Sequence, residues 1–300
     1  MEITRLADLK PRTVWEITDD AFDLYRERFA LLSGVSAVVF APTFLLLSTA
    51  GVAAWKQWAA ISSGPETAKS AALNLAWLLP LLAGAYVLHF GATALGVRDL
   101  LSGETPSLVG VYRRALHRFC PLLLAALAIG LLALVSFCTY VGPPLVLAYH
   151  AFVSHGILLE DRKIGDSVKR SRAIAGAYFG KSFGLLCLMG FIGLALVVGA
   201  VAVVSLGFEF LPKEAGATPT GGRSMEDILQ TLTVSLMVVL IAPLPAIATT
   251  LLYYDLRVRR EGLDLESEAE AWGVTLAPDP FAGILNPKTP KVPKQKGAKK

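Results

Sequence analysis

The chain has 300 residues, of which 54% are hydrophobic and only 17% are charged, and it carries a formal net charge of +4. Its mean hydropathy of +0.56 is higher than an ordinary soluble domain of this length reaches, so the composition excludes that class. We therefore expect an integral membrane protein.

A charged segment, residues 1–28, precedes the first apolar run. Thr13 and Glu16 have the spacing of a capping box, which predicts that a helix begins there. Apolar side chains then recur at helical spacing, which indicates a helix that lies along the membrane interface. Because the segment lacks the apolar core and cleavage site of a signal peptide, we expect the following run to remain as the first span.

Six apolar stretches follow, and each is long enough to cross a hydrocarbon layer as a helix. They cover residues 29–52, 71–97, 119–139, 140–159, 183–206 and 228–253. The third and fourth stretches form one apolar run that is interrupted at Gly142, Pro143 and Pro144, which predicts a tight hairpin. The expected fold is therefore all-α, with a six-span polytopic membrane domain over residues 29–254.

Lysine and arginine are sorted to one side of these spans. Of the 28 such residues, only Lys56, Lys69, Lys213 and Arg223 fall in the segments that six spans place on the opposite side. Positively charged loops mark the cytoplasmic side of a membrane protein. We therefore expect a multi-pass protein of the plasma membrane with both termini in the cytoplasm.

Two later segments, 107–118 and 166–181, also have the pattern of amphipathic interfacial helices. Each of the three helices is followed by a basic residue and then phenylalanine, at Arg28 and Phe29, at Arg118 and Phe119, and at Lys181 and Phe183. One interpretation is a repeated unit of one interfacial helix and two spans. The alternative is that each helix that starts at the inner membrane surface has independently acquired a basic and an aromatic residue, which membrane interfaces favour.

Several motifs resemble a known family. They are Asp20-Ala-Phe-Asp-Leu-Tyr-Arg26, His155-Gly-Ile-Leu-Leu-Glu160 with Asp166-Ser-Val-Lys-Arg-Ser171, and Leu251-Leu-Tyr-Tyr-Asp-Leu-Arg-Val-Arg-Arg-Glu-Gly-Leu-Asp264. Over residues 17–265 the chain resembles the bacterial membrane-domain family named after glycerophosphoryl diester phosphodiesterase. The resemblance implies a domain of the bacterial inner membrane with no assigned biochemical role. The family's phosphodiesterase activity belongs to a separate soluble barrel of roughly 250 residues, so we do not expect that activity here.

Basic residues gather where the spans meet the predicted inner side. Anionic headgroups attract such residues, so the candidates for lipid or phosphate binding are Arg113, Arg114, Arg118, Lys169, Arg170, Arg172, Arg257, Arg259 and Arg260. The alternative for the last three is a salt-bridged helix extension over residues 255–271. The proline- and lysine-rich residues 272–300 have the composition of a disordered tail.

No predicted span has Asp, Glu, Lys or Arg at its centre, which disfavours a proton pump or an ion-coupled transporter. The intramembrane polar candidates are His89, His150 and His155. Their spacing is poor for metal ligation, so neutral imidazoles bonded to neighbouring helices are the alternative. We expect no metal and no cofactor. Because no hydrolase, metalloprotease or phosphate-loop motif occurs, we also expect no enzyme activity.

Three classes of function stay open. The first is a non-enzymatic domain that binds anionic lipid headgroups or a partner protein at the inner leaflet. The second is a carrier or flippase for a lipid-like or small amphipathic substrate, with a cavity beside a kink expected at Pro243 and Pro245. The third is a membrane enzyme that uses the histidines. Membrane lipids are the expected partners, a membrane or cytoplasmic protein is a further candidate, and nucleic acid is not expected.

Overall fold

A computed structural model describes residues 12–59, 78–139, 141–209 and 225–261. In these ranges the chain forms α-helices, one short 3-10 helix and no strand. The α-helices are α1 Val14–Glu27, α2 Phe29–Ala59, α3 Leu78–Leu101, α4 Leu108–His117, α5 Phe119–Val135, α6 Gly142–His150, α7 Val153–Leu158, α8 Ile164–Ala177, α9 Phe179–Glu209, α10 Met225–Ile241 and α11 Pro243–Glu261. The expectation of an all-α fold is confirmed for these residues.

Long apolar helices give the chain the character of an integral membrane protein. In the described ranges, four segments are long and apolar enough to cross a membrane: Pro80–Leu101, Phe119–Thr139, Phe179–Gly207 and Leu229–Arg260. A fifth is added if α1 and the start of α2, which meet at an angle of 87°, are one bent span. The expected count of six spans is not confirmed by these residues.

The fourth expected span, 140–159, is not one continuous helix. It consists of α6 and α7, and the helix is interrupted at Ala151 and Phe152. The Ser171 hydroxyl, from α8, donates to the carbonyl of Tyr149 and accepts from the amide of Phe152, at 2.9 and 3.2 Å. A side chain that bonds backbone groups in this way interrupts the helical hydrogen-bond ladder, which explains the break.

Three short helices, α1, α4 and α8, lie where the sequence places the interfacial helices. The predicted capping box is present at the start of α1, because the Thr13 hydroxyl accepts from the Glu16 amide and the Glu16 carboxylate accepts from the Thr13 amide. Each short helix buries one face against its neighbours, including Ala21 on α1, Val111 on α4 and Ile174 on α8. The buried residues of α4 are apolar and those of α1 mainly so, whereas α8 also buries Ser167 and Ser171.

Each short helix joins a long helix through a single residue. The three connecting residues have similar φ angles, −120° at Arg28, −106° at Arg118 and −128° at Tyr178. The next helix begins at a phenylalanine in every case, Phe29, Phe119 or Phe179. The same local geometry therefore recurs three times along the chain.

The expectation that Lys181 and Phe183 mark the third junction is wrong, because α9 begins at Phe179. The burial pattern agrees with the corrected register. The residues three positions after the junction phenylalanines are all buried, namely Leu32, Leu122 and Ser182, and so are those six positions after them, namely Val35, Ala125 and Leu185. The three helix starts are therefore equivalent in packing as well as in backbone geometry.

The helices form three units that close into a ring. Unit 1 contains α1 to α3, unit 2 contains α4 to α7, and unit 3 contains α8 to α11. The last helix of each unit packs on the short helix of the next, so that α3 lies on α4, α7 on α8, and α11 on α1. The hairpins follow the same cyclic order, with α3 against α5, α6 against α9, and α10 against α2. Unit 3 thereby closes on unit 1.

One end of this ring carries the short helices and the turns that follow α3 and α7. Asp99, Glu160 and Asp255 lie at the same end, since each is close to the end of the last helix of its unit. We call this the charged end. The opposite end includes the turn between α5 and α6, at Ser136–Thr139.

The membrane-spanning segment that ends unit 3 is interrupted at Ala242, between α10 and α11. Proline has no amide donor and so leaves helical carbonyls unpaired. Two side chains of unit 1 reach carbonyls at this break. The Tyr25 hydroxyl donates to the carbonyl of Leu240 at 2.7 Å, and His89 Nε2 lies 3.1 Å from the carbonyl of Ala242. The helix is therefore interrupted beside the two prolines, at the position where the sequence predicts a kink, and Leu229–Arg260 still qualifies as a single span.

Some expectations fall on residues outside the described ranges. They concern residues 1–11, the start of the second span at 71–77, the basic residues Lys69, Lys213 and Arg223, the part of the helix extension after residue 261, and the tail over 272–300.

Candidate ligand cavity

A cavity of about 340 Å³ lies among all three units, at the middle of the long helices. Helices α3, α5, α6, α7, α9 and α11 contribute to its wall. Its lining is mainly aliphatic and aromatic, as at Val87, Phe90 and Leu186. Polar side chains are few, and they are listed here in full: Tyr86, His150, Ser154 and Thr249. A mainly apolar cavity with a few polar groups is typical of small-molecule binding sites.

The cavity has an exposed side and a buried side. Tyr86 and Leu147 are 55% and 50% exposed, and Gly130 is also exposed. His150 and Thr249, on the other side, are 8% and 4% exposed. An apolar part of a ligand therefore meets the exposed side, while hydrogen-bonding groups are concentrated at the buried side.

His150 is held in one hydrogen-bonded arrangement at the buried side. Its Nε2 accepts from Nε of Arg172 at 3.1 Å, and its Nδ1 lies 2.7 Å from the carbonyl of Val146. Since arginine is always a donor, Nε2 is the unprotonated nitrogen and Nδ1–H is the donor to Val146. The imidazole is therefore neutral in this arrangement and hydrogen-bonded on both sides.

Two other polar side chains of the cavity, Thr249 and Ser154, differ from His150 in their hydrogen bonding. The Thr249 hydroxyl donates to the carbonyl of Pro245 at 2.7 Å, so its oxygen is left to accept a further hydrogen bond. For the Ser154 hydroxyl the described residues provide no hydrogen-bond partner within the protein. Both side chains can thus bond to a polar group of a ligand.

The other two candidate histidines do not line this cavity. His89 is 1% exposed and lies between the carbonyl of Ala242 and the Ser36 hydroxyl, which is 3.4 Å from Nδ1. His155 is fully buried, has Nε2 at 3.0 Å from the Thr250 hydroxyl and stacks on Tyr253 with 5.0 Å between ring centroids. The structure therefore brings only His150 of the three to the cavity wall, and it places the other two between packed helices.

Most of the nine predicted lipid-binding cations have partners within the protein. Arg114 binds both carboxylate oxygens of Asp99, with 3.0 Å between Nη1 and Oδ1. Arg118 pairs with Asp161, whose side chain is 73% exposed. Arg260 donates to the carbonyl of Ala173.

Glu160 is the centre of one cluster at the charged end. It accepts from the Tyr253 hydroxyl, from Arg162 and from Arg170, and Arg257 lies 3.6 Å away. Burial alone would raise the pKa of Glu160, but the hydrogen bonds and the nearby guanidinium groups outweigh it and hold that pKa below its ordinary value of 4.5. The carboxylate therefore stays ionised and joins α7, α8 and α11.

Asp255 is the centre of a second cluster and is 2% exposed. Its carboxylate accepts from the Arg12 backbone amide at 2.6 Å, from Lys181, and from Nε of Arg259 at 3.0 Å. The carbonyl of Arg12 accepts from Nη2 of Arg259 at 2.8 Å. The start of α1 is thus bonded to α9 and α11.

Arg113 and Lys169 differ from the other seven. Both side chains are exposed on the short helices α4 and α8, and the described residues contain neither a hydrogen-bond nor an ion-pair partner for either. They remain available to groups outside the protein.

Asp99, Glu160 and Asp255 were not singled out from the sequence as functional residues, although they organise the charged end. A signal was present, because each lies near the inner end of a predicted span beside basic residues. No sequence pattern marked the other polar residues of the cavity, Tyr86, Ser154 and Thr249, because isolated hydroxyl groups are common in membrane helices.

In the described ranges, no group of three or more metal-ligating side chains lies together. Comparisons of the chain with known protein families, with curated proteins and with solved structures find no match.

Proposed function

We propose that the protein binds a lipid-like amphipathic molecule in the cavity among its three units and acts as a membrane carrier for it. One observation carries this proposal: the cavity is exposed on an apolar side within the membrane-spanning helices and has its hydrogen-bonding groups at the buried side. An amphipathic molecule has the matching distribution of polarity.

The position of the exposed side supports entry from the bilayer. Tyr86 lies within the span Pro80–Leu101, and Gly130 lies within the span Phe119–Thr139. A surface at this depth contacts lipid chains rather than water. A molecule that already partitions into the bilayer can therefore reach the cavity without crossing an aqueous phase.

The interruptions of two helices favour a carrier function rather than a rigid storage site. Ala151, at the break between α6 and α7, and Pro245, just after the break at Ala242, both contribute to the cavity wall. Interrupted helices beside a mid-membrane site are a recurring feature of transporters. Rotation about these breaks would change the width of the cavity.

We place the charged end at the cytoplasmic face of the bacterial inner membrane, because positive residues concentrate there. The resemblance to the membrane-domain family named after glycerophosphoryl diester phosphodiesterase agrees with that location. Two crossings in each unit would return both chain termini to this side. No chemical step is part of the proposal, since the cavity has polar groups suited to hydrogen bonding and no paired acid and base.

A second candidate function is contact with anionic headgroups at the charged end. The exposed positions of Arg113 and Lys169 favour it, because juxtamembrane cations are each worth about 1 kcal/mol near an anionic surface. This contact is compatible with the carrier function, since it would hold the short helices at the membrane surface.

Photo-crosslinking tests the cavity directly. The purified protein is incubated with single-chain amphipaths that carry a diazirine in the acyl chain, and the labelled residues are mapped by peptide mass spectrometry. We expect labels at cavity residues, including Tyr86 and Leu186. Gly130→Leu should suppress them, because a side chain there occupies the exposed side and a Cβ meets no atom within 4 Å.

Gly190→Leu is the matched control, since Gly190 on α9 is also exposed with open space around its Cβ but does not line the cavity. Labels that lie only on the outer surface of the helices, or that respond equally to both substitutions, would refute the cavity as the binding site. For the second candidate, replacing Arg113 and Lys169 together by Gln should weaken binding to anionic vesicles and leave cavity labelling unchanged.

A further inference from the structure

Arg172 differs in its bonding from most arginines at the charged end. In the described residues, eight arginines of this region have a carboxylate partner, namely Arg12, Arg98, Arg114, Arg118, Arg162, Arg170, Arg257 and Arg259. Arg172 instead donates from Nε to the neutral imidazole of His150. For its other four N–H groups the described residues provide no acceptor. Its positive charge is therefore not neutralised by an acidic side chain in this part of the structure.

The positive charge of Arg172 lies next to the cavity wall. His150 lines the buried side of the cavity, and Arg172 lies against the far nitrogen of the same imidazole at 3.1 Å. The residue that bonds the guanidinium is thus itself part of the cavity wall. Arg172 is an exposed residue, and a positive charge at this range favours an opposite charge in the cavity and disfavours a like charge.

The polar groups around the buried side are suited to an anion as well. The Ser154 hydroxyl is a donor for which the described residues contain no acceptor, and it lies on the turn of α7 that follows His150 in the chain. No carboxylate is among the residues that line the cavity. At the buried side, Ser154 therefore supplies a donor beside the positive charge of Arg172, and no acid of the cavity wall competes with an anion.

We propose that the ligand is a single-chain amphipath with an anionic end, such as a carboxylate or a phosphate, and that Arg172 acts through His150 to select that charge. This inference rests on the proposed cavity function and adds the class of ligand. The anionic end lies at His150 and Ser154, and the chain extends past Phe90 and Leu186 toward Tyr86.

The volume of the cavity limits how many acyl chains the ligand can have. Ligand cavities range from roughly 300 to 1,000 Å³, and the volume of about 340 Å³ is at the lower end of this range. It accommodates one acyl chain or part of one, whereas a phospholipid with two chains requires more space. A fatty acid or a lysophosphatidate therefore fits better than a bilayer phospholipid.

The test compares probes that share one chain and differ in the polar end. Diazirine-bearing oleate, lysophosphatidate, monooleoylglycerol and oleylamine are each titrated against the purified protein, and the half-saturating concentration for cavity labelling is measured. We expect both anionic probes to saturate at concentrations about tenfold or more below the neutral probe, and the amine to label the cavity least. A difference between oleate and lysophosphatidate would then separate carboxylate from phosphate as the preferred anion.

Variants identify the residue that selects the charge. Arg172→Gln should raise the half-saturating concentration of oleate about tenfold and leave that of monooleoylglycerol unchanged, and Arg172→Lys should retain most of the preference. Arg260→Gln is the matched control, because it removes a positive charge from the same end of the protein, where Arg260 bonds a backbone carbonyl away from the cavity. It should bind all probes as the unmodified protein does.

The outcomes separate the two proposals. If anionic and neutral probes label the cavity at equal concentrations, the anion selectivity is refuted while the cavity site stands. The same conclusion follows if Arg172→Gln and Arg260→Gln have equal effects. If no probe labels the cavity, the proposed function itself fails. Should Arg172→Gln not fold, the probe comparison in the unmodified protein and in Arg172→Lys decides the question.

Discussion

Arg114 binds both carboxylate oxygens of Asp99 and so joins the second unit of the ring to the first. Arg170 on α8 binds Glu160 and joins the third unit to the second in the same way. The third equivalent contact is made by a backbone group, since the amide of Arg12 donates to Asp255. Each unit thus ends in a carboxylate that accepts a hydrogen bond from the beginning of the next unit.

The pair of Asp99 and Arg114 should contribute measurably to stability. The Asp99 side chain is 4% exposed, while that of Arg114 is 40% exposed. We expect Asp99→Asn to lower the free energy of unfolding by about 2 kcal/mol, less than for a fully buried pair, because water partly compensates the arginine. Unfolding in mixed detergent micelles measures this. Asp161→Asn, at the exposed pair with Arg118, should change stability by less than about 0.5 kcal/mol, and an equal loss in both variants would contradict the prediction.

Removing the Ser171 hydroxyl should destabilise the interrupted segment between α6 and α7. Ser171→Ala leaves the Phe152 amide and the Tyr149 carbonyl without their partner in a buried site, which costs about 1 to 3 kcal/mol. Hydrogen exchange at the Phe152 amide should become faster. Ser33→Ala is the control, because that exposed hydroxyl bonds only its own helix. Unchanged exchange at Phe152 would show that Ser171 does not hold the break.

Acid should destabilise the protein partly through Glu160. The folded-state pKa of this carboxyl is lowered below its ordinary value of 4.5, so its contribution is present above about pH 4.5 and is lost as the pH falls through the lowered pKa. The thermal midpoint should therefore drop more steeply between about pH 5 and pH 3 in the unmodified protein than in Glu160→Gln. Glu27→Gln, at an exposed position on α1, should keep the steep drop. Parallel curves for the unmodified protein and Glu160→Gln would rule out this role.

Close packing of α7 on α8 should make Gly156 intolerant of substitution. A Cβ at this position would meet Cβ and Oγ of Ser167 at 3.0 Å, and both residues are buried. We expect Gly156→Ala to lower the free energy of unfolding by about 1 to 3 kcal/mol. At Gly165 no atom lies within 4 Å of such a Cβ, so Gly165→Ala should be neutral or stabilising by up to about 1 kcal/mol. If both substitutions had the same effect, helix propensity rather than packing would explain it.

Local sequence patterns predicted the elements whose causes are local. The capping box at Thr13, the short helices α1, α4 and α8 and the helix break beside Pro243 depend on residues within one or two turns of each other. The third junction was misplaced because Lys181 and Phe183 repeat the pattern of a base followed by an aromatic residue, whereas Tyr178 occupies the connecting position. Local pattern alone does not distinguish these two sites.

Features with distant causes were not predictable in this way. The segment 140–159 reads as one apolar span, and the hydroxyl that interrupts it belongs to Ser171 on another helix. The sequence shows the basic residues as a group, but it does not show that Arg114 pairs with Asp99 and Arg170 with Glu160 in neighbouring units. The wall of the cavity comes from six helices, so no stretch of sequence describes it.

The ring of units has a consequence for biosynthesis. Helix α1, made early, packs on α11, which is the last of the described helices to be translated. Until then α1 lacks its contacts with α11, and the amide of Arg12 lacks its acceptor on Asp255. Insertion into the membrane can thus proceed hairpin by hairpin, but the contact that closes the ring forms only after the ribosome has delivered α11.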